Sequence, residues 1–387
     1  MNGSFTSGRI RKAQSQDLDP RQAVRAFHAA VSSPKMALVV FFCSSHYDLD
    51  VIAAEINACF HGVPVIGCTT AGEIGPSGYR QHSISGFSLP ADDFSVALGH
   101  VESLDSFNPA AANAIVSRLL GRLGKPGTFH GSHYFALQLI DGLSNQEEIV
   151  TQAFQQALGG IALFGGSAGD DLRIESTCVF SDHAFRRNST VLAIIETVAP
   201  FTIFKTQNFI GGHDRFVVTQ ADAESRTIYE LNGEPAVQVY ARATGVTVDA
   251  LDDNHFSDFP VVVRLHGMDY VRSIQKANRD GSLTFYCAIE RGLILRIGQS
   301  LDFTGNLASV LDNVRSKVGE PELLIACDCV LRQIEMKEKG WQSEVEQLFE
   351  QNNTVGFSTY GEQFMGIHMN QTLSGLAIGY GRGEHDV

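Results

Sequence analysis

Three stretches decide how the chain is read: VIGCTTAGE at 65–73, LFGGSAGD at 163–170 and TVGFSTYGE at 354–362. They share a glycine, one variable residue, a Ser or Thr, and a short run closing on Gly and an acid; the middle copy is one residue shorter. Recurrence on this scale marks a structural unit used more than once. Each phrase is preceded by an apolar run of strand composition, MALVVFFCSS (36–45), YFALQLIDGL (134–143) and ELLIACDCV (322–330). Between run and phrase lies a stretch with helical periodicity: DLDVIAAEINACF (48–60), NQEEIVTQAFQQAL (145–158) and KGWQSEVEQLFEQ (339–351). Asp48, and Ser144 or Asn145, suit helix N-caps, and Glu147 and Glu148 suit the positive end of the second helix. The segments that follow each phrase (82–101, 176–196 and 368–380) read as antiparallel strands around a turn. A strand-helix-strand crossover lays its helix on one face of a sheet, so the expected fold class is α/β, with mixed sheets built from repeated strand-helix-strand units.

Residues 201–297 interrupt the series with alternating strands, Asn-Gly and Asp-Gly turns, and one helix over 234–244. The glycine pair in FIGGHD (209–214) reads as a linker. The expected division is an N-terminal segment, 1–30, and two halves, 31–210 and 211–387.

With 387 residues and 44% hydrophobic side chains the chain can bury a large core and calls for two domains. A net charge of −14 works against a phosphate-backbone partner, so no nucleic acid is expected. The stretch MNGSFTSGRIRKAQSQDLDP has no apolar segment behind its charges, and the longest apolar runs are too short to span a bilayer. No membrane association and a cytoplasmic location are expected. Seven cysteines, mostly inside apolar segments, read as small hydrophobes; Cys327 and Cys329 in IACDCVL share a strand face, with a minor alternative as metal ligands.

GCTTAGE, FGGSAGDD, TIYELNGEPA, and CDCVLR followed by GFSTYGEQ resemble, in order, the FIST family with its FIST-N and FIST-C halves, from about residue 37 to 381. The resemblance implies a non-catalytic sensory module that binds a small ligand. Within the family the chain is similar to the nitric-oxide-sensing subgroup. This implies haem b, nitric oxide as signal, and regulation of a partner histidine kinase feeding cyclic-di-GMP and biofilm behaviour; a homo-oligomer is compatible with it. The alternative within the family is a haem-free module for a small metabolite such as an amino acid.

The glycine turns could cradle a ligand through Thr69, Thr70, Gly72, Glu73, Ser167, Gly169, Asp170, Ser358, Thr359, Gly361 and Glu362. Equally, the glycines could serve only sharp turns and close strand packing, which would leave the repeated acids unexplained. GGSAG (165–169) has the spacing of a nucleophile elbow, but DDLRIESTCVF after it lacks helical character, so a hydrolase built on Ser167 is the third reading. No phosphate-loop, HExxH or EF-hand pattern occurs. If haem binds, a histidine should hold its iron. His183 comes first, among Phe180 and Phe185 with Arg186 and Arg187 for the propionates; His266, beside Arg264 and Met268, comes second. The competing reading of SDHAFRRN is a solvated hairpin tip, and that of His266 an exposed strand end.

Overall fold

The computed structural model describes residues 10–124, 133–265 and 267–380. The first repeat runs β1 (Arg11–Ser15), α1 (Pro20–Val31), β2 (Met36–Ser44), α2 (Leu49–Cys59), β3 (Val65–Thr70), β4 (Glu73–Gly75), β5 (Gly78–Arg80) and β6 (Ile84–Pro90). The second runs β7 (Phe94–Val101), α3 (Pro109–Arg122), β8 (Tyr134–Ile140), α4 (Glu147–Leu158), β9 (Ala162–Ser167), β10 (Val179–Ser181), β11 (Ala184–Arg186) and β12 (Thr190–Thr197). The third opens with β13 (Phe201–Gln207) and, after an insertion, resumes at α7 (Phe303–Val318) and β23 (Pro321–Cys329). It then continues through α8 (Val330–Glu338), α9 (Gln342–Gln351), β24 (Thr354–Thr359), β25 (Glu362–Phe364), β26 (Ile367–Met369) and β27 (Thr372–Gly379).

Local chemistry starts the helices where the pattern requires. Asp19, Asp48, Asn108 and Asp302 cap α1, α2, α3 and α7, and Pro20 and Pro109 hold the first turns of α1 and α3. At α4 the cap position is Gln146 without a side-chain cap, because Asn145 adopts φ 57° and Ser144 turns its hydroxyl onto the Asp141 carbonyl. Neither expected residue caps that helix.

The repeats build three six-stranded sheets of one plan: β1-β6-β2-β3-β10-β11, β7-β12-β8-β9-β25-β26 and β13-β27-β23-β24-β4-β5. In each, the two central strands are parallel and the rest antiparallel. The hairpin after each central pair leaves its own sheet. That of the first repeat joins the third sheet, that of the second joins the first, and that of the third joins the second. The inner faces meet in one core that includes Phe42, Phe135, Phe164 and Phe357, with Phe42 stacked on Phe357 at 4.5 Å. Outer faces are covered by α1 and α2, by α3 and α4, and by α7 and α9. Burying each large apolar side chain contributes about 1.5–3 kcal/mol, so three faces sharing one core bind the repeats into one body.

Gly67, Gly165 and Gly356 occupy corresponding positions within β3, β9 and β24. A Cβ there would lie 2.5, 2.0 and 1.8 Å from the carbonyl oxygens of Phe41, Gln138 and Ala326. The invariant glycine of the phrase is therefore demanded by close strand approach.

Residues 208–302 form the insertion, with β14 (Phe209–Gly211), β15 (Phe216–Asp222), β16 (Thr227–Leu231), β17 (Glu234–Pro235), α5 (Ala236–Thr244) and α6 (Asp253–Asp258). It ends in β18 (Val261–Leu265), β19 (Met268–Arg272), β20 (Ile274–Ala277), β21 (Leu283–Phe285) and β22 (Ile294–Ser300). Its nine-stranded sheet has its own core, which includes Val218, Ile228, Tyr240, Phe256 and Leu295. The juncture expected at 210/211 falls inside β14. The halves 31–210 and 211–387 interleave, since β13 pairs with β27 and β4 with β24. The segment 1–30 likewise contributes β1 and most of α1 to the first repeat.

Candidate functional site

At the carboxyl ends of the parallel strands the three glycine phrases meet and hydrogen-bond one another in a closed ring. Ala71 N donates to Ser358 O at 3.0 Å and Ser358 N to Gly72 O at 2.7 Å. Ser167 N donates to Gly361 O at 2.8 Å and Tyr360 N to Ser167 O at 3.2 Å. Gly169 N donates to Thr69 O and Asp171 N to Thr70 O, both at 3.0 Å. Backbones can approach this closely only where side chains are small, which accounts for the Ser, Thr, Ala and Gly of the phrase.

The repeated acids are absorbed by the same ring. Glu73 accepts from the Thr70 hydroxyl and from Ser83 N and Oγ; Glu362 accepts from the hydroxyls of Thr359 and Thr372. Both carboxyls are fully buried, and burial pushes each up to about 8 against these stabilising bonds. Asp170 accepts from the N–H groups of Ile174, Glu175 and Ser176 and from the Tyr360 hydroxyl. Burial opposes its ionisation, but those donors, Ser176 first, hold it below its ordinary range. The structure thus brings together Thr69, Thr70, Gly72, Glu73, Ser167, Gly169, Asp170, Ser358, Thr359, Gly361 and Glu362 as a packed junction, and none of them lines a cavity found here. Ser167 Oγ is fully buried and accepts from Gln363 Nε2 at 2.8 Å, and β9 leads into a turn rather than a helix.

A cavity of about 340 Å³ lies beside this ring, between body and insertion. The body contributes Gly142 and Glu147 after β8, Leu172 and Ile174 after β9, the start of α8 at Cys329–Leu331, and Tyr360 and Asn370. The insertion contributes Arg226, Thr284, Phe285 and Tyr286. A crevice outside the carboxyl ends of parallel strands is where open α/β sheets commonly take ligands.

Arg226 ties the two sides together. Its Nη2 lies 3.0 Å from Glu147 Oε2 and 2.8 Å from Glu148 Oε2, and its Nη1 donates to Tyr286 O at 2.7 Å. Glu148 also accepts from Ala288 N at 2.6 Å. Burial pushes the Glu147 carboxyl up to about 7, with Arg226 opposing. Two groups await a partner. Asn370, 1% exposed, has no donor to its Oδ1. The N-terminus of α8 carries no side-chain cap and no acid in its first turn. Behind the cavity, His368 is buried against Gln363 Nε2 and its imidazole is lowered to about 4, first by burial.

Sequence reading assigned none of these residues to a cavity: Cys329 drew attention only as a strand-face thiol with metal ligation as the alternative, and Glu147 only as an acid at a helix start. Arg226 lies 79 positions from Glu147, and the only local hint was the acid pair at 147–148.

His183 lies at the exposed tip of the β10–β11 hairpin with φ 69°, its Nδ1 2.9 Å from Asn57 Oδ1. It edges a separate groove of about 500 Å³ that includes Phe60, Val63, Leu98, Phe180, His100 and Arg122. Arg186 folds back on the hairpin, onto Ser181 O and, at 3.5 Å, Asp182 O, and lies 3.2 Å from Glu102; neither it nor the exposed Arg187 lines the groove. Arg186 is held by the hairpin's own carbonyls and Glu102, so the expected set of His183, Arg186 and Arg187 lining one pocket is not formed. His266 lies outside the described residues. Cys327 and Cys329 are buried free thiols raised by burial, and among the described residues no three His, Cys, Asp or Glu side chains group as metal ligands. Among the described residues no helix is long and apolar enough to cross a membrane.

No curated protein matches the chain. The FIST N domain profile matches residues 37–234, more than half of the sequence, and the FIST C domain profile matches residues 236–365. Both domains are sensory modules of signal transduction. The body–insertion architecture is therefore that of a sensor for small molecules, and the chain belongs to the FIST family.

Proposed function

We propose that this FIST protein senses a small zwitterionic metabolite of amino-acid size, bound in the cavity between body and insertion. The observation that carries this reading is the meeting, in that cavity, of the acid-free start of α8 with the partnerless Asn370 Oδ1. The uncapped start of α8 suits a carboxylate, and the orphaned Asn370 Oδ1 suits an ammonium. Apolar contacts from Leu143, Phe285 and Leu331 leave room for a modest side chain. The Arg226 bridge joins body and insertion, so a ligand here changes how tightly the insertion docks and passes binding on as a movement of the insertion. The protein acts without catalysis; the burial of Ser167 and its bond to Gln363 support that.

The test is thermal unfolding of the intact protein against the proteinogenic amino acids. At least one should raise the midpoint by several degrees, since a ligand at about 100 times its Kd adds about 2.7 kcal/mol. Asn370→Ala should remove the shift. Absence of any shift, or one that survives Asn370→Ala, contradicts the reading.

A second reading is haem-based nitric oxide sensing with control of a separate histidine kinase and cyclic-di-GMP output. One observation favours it: Asn57 engages His183 Nδ1, which leaves Nε2 to bind iron at the edge of an apolar groove. Arg122 and His100 would then stand nearest the propionates. Reconstitution with haem should give a Soret band that His183→Ala abolishes; no band, or an unchanged one in the variant, removes this reading. The expected cytoplasmic location is carried with both readings.

A further inference from the structure

A second cleft between body and insertion, about 640 Å³, opens on the other side of α8. Its insertion wall includes β14, the end of α6 and β22; its body wall is Glu335, Lys339 and Trp341. Glu335 is 4% exposed. Its Oε1 accepts from Asn208 Nδ2 at 3.3 Å, whereas Oε2 has no donor, and the Asn208 Oδ1 behind it has none either. The nearby cation Arg332 acts on Glu335 through its charge but makes no hydrogen bond to it: its Nε holds Asp328 at 2.8 Å, its guanidinium lies 4.2 Å over the Phe303 ring, and its Nη2 has no acceptor. Two adjacent buried acceptors without donors are costly, about 1–3 kcal/mol each, and an ammonium group brings three donors and the matching charge.

The rest of the cleft fits such a group. Phe209, Phe259 and Trp341 supply apolar and aromatic surface for methylenes and for a cation. At the rim stand Asp214 and Asp258, the latter 3.3 Å from Lys339 Nζ with both side chains about half exposed. Three carboxylates and Lys339 line the cleft, with Arg332 as a second cation near Glu335. A chain of net charge −14 also concentrates cations near its surface.

We propose that this cleft is a second ligand site that takes an aliphatic diammonium compound of the polyamine class. One ammonium sits at Glu335 and Asn208, the methylenes lie against Trp341 and Phe259, and the other ammonium lies at Asp214 and Asp258. Burial pushes the free Glu335 carboxyl up, and a bound ammonium would favour its ionised form.

The experiment is calorimetric titration of putrescine into the intact protein at about 0.15 M salt, where surface charges are largely screened. Saturable one-site binding is expected, with none for butanediol, its uncharged counterpart. Glu335→Gln should weaken binding about tenfold or more, as loss of a buried charge pair does, and Asp214→Asn only several-fold. Trp341→Ala provides a second readout should Glu335→Gln lose its folded thermal transition, and it should also weaken binding several-fold. Absence of saturable heat, equal binding of the diol, unchanged affinity in Glu335→Gln, or a Glu335→Gln that fails to fold together with an unchanged Trp341→Ala, each overturns the site.

Discussion

The ring of glycine turns and the cavity beside it lie within one strand-end surface, yet they were built under opposite constraints. The ring is threefold. In the first phrase Thr70 and Ser83 hydroxyls donate to Glu73, and in the third Thr359 and Thr372 hydroxyls donate to Glu362 in the same way. The cavity has no counterpart in the other repeats, because Arg226, Thr284 and Phe285 of the insertion meet the body there only where the start of α8 and the turn after β8 converge. A feature that recurs in every repeat answers a requirement of the repeat. The proposed ligand site lies where that symmetry is broken, with Asn370 Oδ1 and the start of α8 on the cavity wall beside the Arg226 bridge.

The widest break in this contrast should come from the glycines. Gly356→Val places a side chain 1.8 Å from the Ala326 carbonyl oxygen and cannot be accommodated without parting β23 from β24. Loss of roughly 4 kcal/mol or more is expected by chemical denaturation, a large share of the about 5–15 kcal/mol by which an ordinary domain is stable. Gly165→Val and Gly67→Val should behave alike, and a tolerated substitution at any of the three would separate that repeat from the others.

Arg226→Ala comes next. It leaves Glu147 buried beside Glu148 without their cation, and breaking such a pair costs about 3–5 kcal/mol. Because the lost bond joins the domains, limited proteolysis should cut the 208–302 insertion before the body.

The pH dependence is smaller. Glu73 and Glu362 rise from 4.5 to about 8 in the folded chain. Between those values the folded state holds protons that the unfolded state has released, so stability is greatest at low pH and declines as pH rises through 8. His368, lowered from 6.5 to about 4, works in the opposite sense, favouring the fold above 6.5 and weakening it as pH falls through 4. In the window from 6.5 to 8 the carboxyls dominate. The unfolding midpoint of the wild type should fall across it, and Glu73→Gln with Glu362→Gln should flatten the slope.

Smallest of all is Ser167→Ala. Gln363 Nε2 keeps Gly361 O and His368 as partners, so a loss of about 1 kcal/mol and unaltered ligand affinity are expected from denaturation and calorimetry.

What could be read in the sequence follows the same division. The repeated phrases, the helix capped at Asp48 and the strand-helix-strand order were legible because each is set by residues close in the chain. Helix α8 was not, since Arg332, Gln333 and Glu335 turn inward and erase any apolar stripe. The flanking pairs β1–α1, β7–α3 and β13–α7 lack the phrase, which hid them as part of the repeat. The exchange of hairpins depends on pairings such as Gly356 with Ile74, far apart in sequence and without a local signature. The same holds for the cavity, whose residues come from separate segments with no fixed spacing. The acids of the glycine turns drew attention as ligand groups, while Ser83 and Thr372, ten residues on, explain Glu73 and Glu362 as ties within the first and third repeats, and the 174–176 backbone with Tyr360 explains Asp170.

The most direct test of this account is hydrogen exchange along the chain, with and without the amino acid that stabilises it most. Protection should rise at 142–147, 284–286, 329–331 and 370, across both walls of the cavity, and stay unchanged in the already closed ring. Protection confined to 69–73, 167–170 and 358–362 would instead make the ring the ligand site and contradict the account.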